Sequence, residues 1–234
     1  MDVGSEIQLQ HETWSFADTI EHFDRHILQS IPNCQAQRDY IATLARFFLH
    51  AQAQVVEIGV STGALARAVL ERTPERPLTY LGIDVEPQMV AAARRNLAHD
   101  SRFSALEANV ADVSFESPAL VISYYTLQFI PQMERIALTR RIYEALEPGG
   151  AMILYEKTLG ENARVQDMMT QLYYDFKAAQ GLSPEAILNK AVALRGVSMP
   201  LSLEGNRQLL LDAGFNCIEL LYRDYCFAGF LAVK

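Results

Sequence analysis

The 234-residue sequence predicts an α/β domain built on a mostly parallel sheet that ends in an antiparallel hairpin. Three observations predict it. From residue 54 to residue 156, short apolar runs alternate with helical periodicity, the pattern of parallel strands covered on both faces. The last two apolar runs, 216–222 and 227–233, are only four residues apart, too few for a parallel crossover. Between these regions, residues 157–202 carry helical signals over a stretch too long for a simple connection, which predicts a lid.

The elements follow in order. Residues 15–50 read as two helices separated at Ile31-Pro32-Asn33, and in the second Tyr40, Ile41, Leu44, Ala45 and Phe48 form an apolar stripe. Strands are expected at 54–58, 79–84, 103–108, 119–124 and 151–156. Helices are expected at 64–72, at 87–97 with Pro87 in its first turn, and at 132–146 with Ile136, Thr139, Ile142 and Leu146 on one side. Five parallel strands plus the hairpin make a seven-stranded sheet. The lid holds two or three helices, one with Ser183 as N-cap and Pro184 at N1. A helix at 203–213 stops at Gly214. The whole chain, 1–234, reads as one domain, with N-terminal helices to residue 50 and a lid at 157–202.

Composition narrows the class. Half of the residues are hydrophobic and 21% are charged, as in a folded globular protein. No apolar stretch is long enough for a bilayer, and MDVGSEIQLQHE has neither the basic nor the apolar region of a signal peptide, so a cytoplasmic protein is expected. Cys34, Cys217 and Cys226 have no metal-ligand spacing, and His22 and His26 lack a third ligand, so no metal is expected. The net charge of -8 disfavours nucleic acid, and the pairs Arg94-Arg95 and Arg140-Arg141 read as solvated helix faces.

Three features fall at the carboxyl ends of the first three strands, where open α/β sheets bind ligands. Glu57-Ile58-Gly59-Val60-Ser61-Thr62-Gly63 is a strand-to-helix turn whose glycines permit close backbone approach. It has neither G-x-G-x-x-G spacing nor a Gly-Lys-Ser/Thr ending, so a pyrophosphate cradle is disfavoured, while Glu57 suits an ammonium group. Asp84, followed by Val85, ends the second strand about 20 residues later, where an acid bonds ribose hydroxyls; it also suits an N-cap. Asn109 and Val110 could meet an adenine edge and ring, or form an ordinary turn. Together they describe a nucleoside with a cationic amino-acid end and no phosphate, which is S-adenosylmethionine (SAM).

On these residues the sequence resembles the class I SAM-dependent methyltransferases, and more narrowly the carboxy-S-adenosylmethionine synthase family. The narrow likeness rests on Trp14-Ser15-Phe16, Ser30-Ile31-Pro32, the 57–63 turn, Tyr125-Thr126-Leu127-Gln128-Phe129, Pro148-Gly149-Gly150, Glu156-Lys157, Asp175-Phe176-Lys177 and Ala213-Gly214-Phe215. The resemblance implies the Rossmann-like class I fold, SAM as cofactor, a homodimer, and a cofactor site of Cys34, Glu57, Gly59, Val60, Ser61, Gly63, Asp84, Val85, Asn109, Val110 and Tyr124. It also exposes departures. Ala191 stands where the synthases have a lid arginine for the extra carboxylate, Cys34 replaces a tyrosine, Tyr124 an asparagine, and Asn109 an aspartate.

The leading expectation is therefore a methyltransferase that uses ordinary SAM on a small, partly apolar acceptor met by lid aromatics (Tyr155, Tyr173, Tyr174, Phe176). Tyr124, Tyr125 and Glu156 are the candidate catalytic groups, and Gln128 is expected to shape the acceptor loop. The alternative is a carboxy-SAM synthase with a rearranged carboxylate site, which requires a lid cation such as Lys190 or Arg195 near the cofactor. A non-catalytic SAM-binding protein is the third expectation.

Overall fold

In the computed structural model, residues 20–234 are described, and Trp14-Ser15-Phe16 lies outside them. Two helices, α1 (Ile20–Ser30) and α2 (Cys34–Ala45), precede the sheet. The next elements are β1 (Gln54–Ile58), α3 (Ala64–Glu71), β2 (Thr79–Asp84), α4 (Pro87–Asn96), β3 (Phe103–Glu107), β4 (Leu120–Tyr124), α5 (Gln132–Ala145) and β5 (Ala151–Leu159). The lid helices α6 (Ala163–Ala179) and α7 (Pro184–Ala193) follow. The chain ends with β6 (Leu201–Ser202), α8 (Leu203–Ala213), β7 (Cys217–Asp224) and β8 (Phe227–Val233).

The strand order is β3-β2-β1-β4-β5-β8-β7, with β1 to β5 parallel and β8 antiparallel to both neighbours. The expected seven strands form this path. An eighth, β6, is two residues long and pairs with the end of β5 at Thr158 and Leu159. That pairing, together with Lys157 opposite Phe227 on β8, carries β5 three residues past the expected Glu156. The order in which strands are added reverses between β1 and β4, so the loops after their carboxyl ends diverge and open a crevice.

Each face of the sheet has its own core. One joins Ile41, Ala45, Val55, Val69 and Leu120. The other joins Val56, Val121, Leu138, Ile142, Leu210 and Phe215. Two helical faces differ from the expected ones. On α2 the buried residues are Cys34, Gln37, Arg38, Ile41, Ala42 and Ala45, while Tyr40 is 46% exposed. The stripe is rotated because Gln37 and Arg38, both polar, face the crevice rather than solvent. On α5 it is Arg135, not Ile136, that turns inward with Leu138, Thr139 and Ile142. The Arg135 guanidinium donates to the carbonyls of Ile130 and Met199, at 2.9 and 3.0 Å, and so ties the β4–α5 loop to the end of the lid.

Tyr155 is not a lid residue. It is fully buried in β5, stacked with Tyr222 at 6.0 Å between ring centroids. Gly229 makes room for it, since a Cβ there would lie 2.4 Å from the Tyr155 ring. Gly229→Ala should therefore cost about 1–3 kcal/mol by overpacking. Thermal melts of Gly229→Ala, Tyr155→Leu and the double variant check this. The double variant should be more stable than the sum of the single losses, because the smaller side chain frees the space.

Candidate active site

A cavity of about 590 Å³ opens at the β1–β4 crevice, within the range of small-molecule sites. Its floor is the 57–63 turn. Gly59 has φ +77°, and a Cβ there would be 2.1 Å from Thr126 Oγ1, so only glycine fits. The amides of Gly59 and Val60 donate to the Ile83 carbonyl at 2.8 and 3.0 Å, locking the turn to β2. Asp84 accepts from the Ser61 amide at 2.8 Å and the Glu86 amide at 3.0 Å. Asp84 is not the N-cap of α4: that position is Glu86, and the Asp84 carboxylate instead holds the Glu86 amide and lines the cavity, with Val85 beside it. Burial raises the Asp84 pKa, and the amides of Glu86 and Ser61 oppose the rise.

Glu57 is buried at the end of β1 and accepts from Tyr80 Oη at 2.7 Å. Burial pushes its pKa up to about 8, against the opposing pull of the Tyr80 hydrogen bond and of Arg38; Asp84 adds to the rise. Tyr124 and Tyr125 also line the cavity, and both hydroxyls donate to Gln37 Oε1, at 3.0 and 2.8 Å. Burial holds both phenols well above their ordinary pKa, so neither is a ready proton acceptor at neutral pH.

The lid helices, together with Lys157 on β5, supply the roof, and it is basic. Lys177 is buried, its Nζ 4.6 Å from the Tyr173 ring centroid and 5.1 Å from that of Tyr174; Lys157 Nζ lies 5.1 Å from Tyr173. Lys190 and Ala191 line the same cavity, as does His26. Burial, then Lys177, lowers Lys190 to about 7. Burial, then Lys157, lowers Lys177 to about 8. Burial, then Lys190 and Lys177, brings His26 down to about 4 and so keeps it neutral. Tyr173 fastens the roof to α1 through a 2.9 Å hydrogen bond to the Ser30 carbonyl.

Of the sequence-derived candidates, Glu57, Gly59, Val60, Ser61, Asp84, Val85, Tyr124 and Tyr125 line the cavity, whereas Cys34, Gly63, Asn109, Val110 and Glu156 do not. Cys34 is buried one layer behind, its sulfur 3.4 Å from Tyr124 Oη. Gly63, at φ +81°, starts α3. Asn109 Oδ1 accepts from the Ala111 amide at 2.9 Å, which is the turn role, and Val110 is buried in the core. Glu156 faces Arg135 and the amides of Leu127 and Gln128 behind the wall; burial raises it to about 8. Gln128 braces the loop, accepting from the Lys157 amide at 3.1 Å and donating to the Tyr125 carbonyl at 3.3 Å. Arg195 is exposed and does not reach the cavity. Sequence reasoning missed Arg38, Lys157 and Lys177 as cavity residues. Arg38 was detectable as a charge in register with Ile41, Ala42 and Ala45.

The floor fits SAM: an oriented carboxylate for a ribose, a glycine turn that allows close approach, and buried groups of both signs for a zwitterion. Comparison with known proteins agrees. Residues 55–150 match a family described as a methyltransferase domain. Human N-acetylserotonin methyltransferase, solved in complex with SAM, superposes with a TM-score of 0.64 at 18% identity over 93% of this chain and 55% of that one. Phosphoethanolamine N-methyltransferase 2 of Haemonchus contortus, solved with SAM, superposes with a TM-score of 0.66 at 18% identity over all of this chain and 60% of that one. The chain thus spans little more than half of each structure, and the likeness concerns the fold. The protein is an enzyme of the SAM-dependent methyltransferase class, and its cofactor is SAM.

The narrower relation comes from two bacterial proteins named carboxy-S-adenosyl-L-methionine synthase. That of Staphylococcus epidermidis is 33% identical over 94% of this chain and 97% of its own length. That of Chromohalobacter salexigens is 32% identical over 91% and 80%. The chain belongs to the carboxy-S-adenosyl-L-methionine synthase family. Among the described residues, no helix is long and apolar enough to cross a membrane.

Glu57 gives a titration prediction. In the free protein its carboxyl is largely protonated below about pH 8. An ammonium bound beside it favours the carboxylate, so S-adenosylhomocysteine should release close to one proton near pH ~7, fading above pH ~9. Calorimetry in buffers of different ionisation enthalpy measures the release. Persistence of the release in Glu57→Gln would show that another group is its source.

Proposed function

We propose that this enzyme is a carboxy-SAM synthase, converting SAM to its carboxylated form with prephenate as the carboxyl source. The observation that carries the reading is the basic roof: Lys157, Lys177 and Lys190 line the cavity beside Ala191. Kinship to proteins named for this activity supports it. Ala191 cannot hold a carboxylate, but its neighbour Lys190 offers the cation that the alternative expectation required.

SAM supplies a methyl carbon activated by its sulfonium; that carbon gives up a proton and takes up the CO₂ lost by prephenate, whose ring becomes aromatic as its hydroxide leaves and accepts the proton to form water. The chain's own residues bind and orient. The 57–63 turn and Asp84 hold the nucleoside. The lysines neutralise the carboxylates of the second substrate, a task that a lone ammonium performs as a point charge. Tyr173 and Tyr174 close the roof and exclude water.

A second reading keeps the leading expectation, methyl transfer to a small molecule. Ala191 favours it, because alanine leaves the family's usual carboxylate contact unmade. The basic roof then favours an anionic acceptor with an aromatic or apolar body.

Mass spectrometry after incubation with SAM and prephenate separates the two. A product heavier than SAM by one CO₂ unit is expected. Lys190→Met should lower kcat/KM for prephenate by about 10- to 100-fold, the size of a charge-assisted contact, and leave S-adenosylhomocysteine affinity within about twofold. No heavier product, with methyl transfer to an anionic acceptor instead, would establish the second reading.

A further inference from the structure

We propose that Arg38 is the counter-ion for the carboxylate of the cofactor's amino-acid end, with Glu57 beneath it taking the ammonium. The inference rests on SAM as the cofactor and is independent of which group is transferred.

Arg38 projects from α2 into the cavity and is only 8% exposed. Its Nε is buried and has no hydrogen-bond partner. The closest carboxylate, Asp24, stands 4.0 Å from Nη2, has a 46% exposed side chain, and already accepts from Thr62 Oγ1 at 2.8 Å. Glu57 is engaged by Tyr80 and is mostly neutral near pH ~7, given its pKa of about 8. A buried guanidinium with so little compensation calls for an anion.

The cofactor provides one at the right end. Asp84 and the backbone of Ser61 lie toward β2, on the nucleoside side. Glu57 and Tyr124 lie at the β1–β4 switch, and both are electrostatically coupled to Arg38. A zwitterion directed toward the switch meets an acid and a guanidinium together. The planar fork of arginine suits a bidentate carboxylate contact. The three lysines that line the same cavity are left for the second substrate.

The test compares two ligands, S-adenosylhomocysteine and 5′-methylthioadenosine, which lacks the amino-acid end. Calorimetry should find that Arg38→Gln weakens S-adenosylhomocysteine about 10- to 100-fold and leaves methylthioadenosine within about twofold. If that variant does not fold, Arg38→Lys, which keeps the charge but loses the fork, should weaken S-adenosylhomocysteine alone by about 3- to 10-fold. Equal loss for both ligands, or no loss for S-adenosylhomocysteine, would overturn the proposal. An unchanged S-adenosylhomocysteine affinity with a raised KM for prephenate would instead assign Arg38 to the second substrate. If the wild-type protein binds neither nucleoside, it is the cofactor reading that fails.

Discussion

Gly59 and Thr126 meet where the direction of the sheet's connections reverses, and the site depends on that meeting. The loops after β1 and β4 must diverge there to open a crevice, yet the Thr126 side chain lies against the Gly59 backbone: any side chain at 59 would collide with it. This contact fixes the turn that presents Ser61 to Asp84. It also fixes the loop that carries Tyr124 and Tyr125, and so the hydrogen bonds from both phenols to Gln37 on α2. Through Gln37 the geometry of the switch reaches the helix that bears Arg38. One close approach thus aligns the floor, the wall and the entrance of the cavity.

Charge is then sorted by height. The floor carries Glu57 and Asp84, both raised by burial. The roof carries Lys177 and Lys190, both lowered by burial and, in each case, by a neighbouring lysine. These shifts share one cause: burial disfavours the charged form of acid and base alike, and a bound ligand of opposite charge favours it again. A zwitterionic sulfonium fits the acid floor, and a carboxylate fits the lysine roof. The net charge of the chain, -8, says nothing of this arrangement, because the acids are spread over the whole molecule while three lysines are concentrated in one chamber.

Legibility in the sequence followed the same division. The alternation of strands and helices gave nearly every element its place, and β2, α8 and β8 fall on their expected bounds, because buried parallel strands must be apolar throughout. The glycine turn and Asp84 were readable because backbone geometry demands particular residues there. The adenine-side assignments were less so: Asn109 spends its side-chain oxygen on a local amide, which spacing alone could not distinguish from ligand contact. Glu156 was legible as an acid at a strand end but not as one sealed behind the loop by Arg135, since both groups are charged and would ordinarily read as exposed. Arg38 was missed for the same reason. A charged residue in a helix is assigned to solvent by default, although the register of Arg38 with Ile41, Ala42 and Ala45 on α2 turns it inward.

The exchange of a lid arginine for alanine, with a lysine next to it, changes more than a contact. Guanidinium stays ionised at any accessible pH and grips a carboxylate with two parallel hydrogen bonds. A buried ammonium does neither. With a pKa of about 7, Lys190 in the free enzyme is only partly charged at neutral pH, and its neighbour Lys177 opposes full ionisation. An arriving carboxylate reverses that balance, so its binding is coupled to uptake of a proton by the roof. Loading of the floor by a zwitterion is coupled to loss of a proton from Glu57. The two halves of the cavity therefore respond to pH in opposite directions. If the enzyme is the synthase proposed above, it should bind its second substrate best on the acid side of neutrality and its cofactor best on the alkaline side, with a working optimum between the two. An arginine in the lid would remove the upper limit. The alanine leaves it in place.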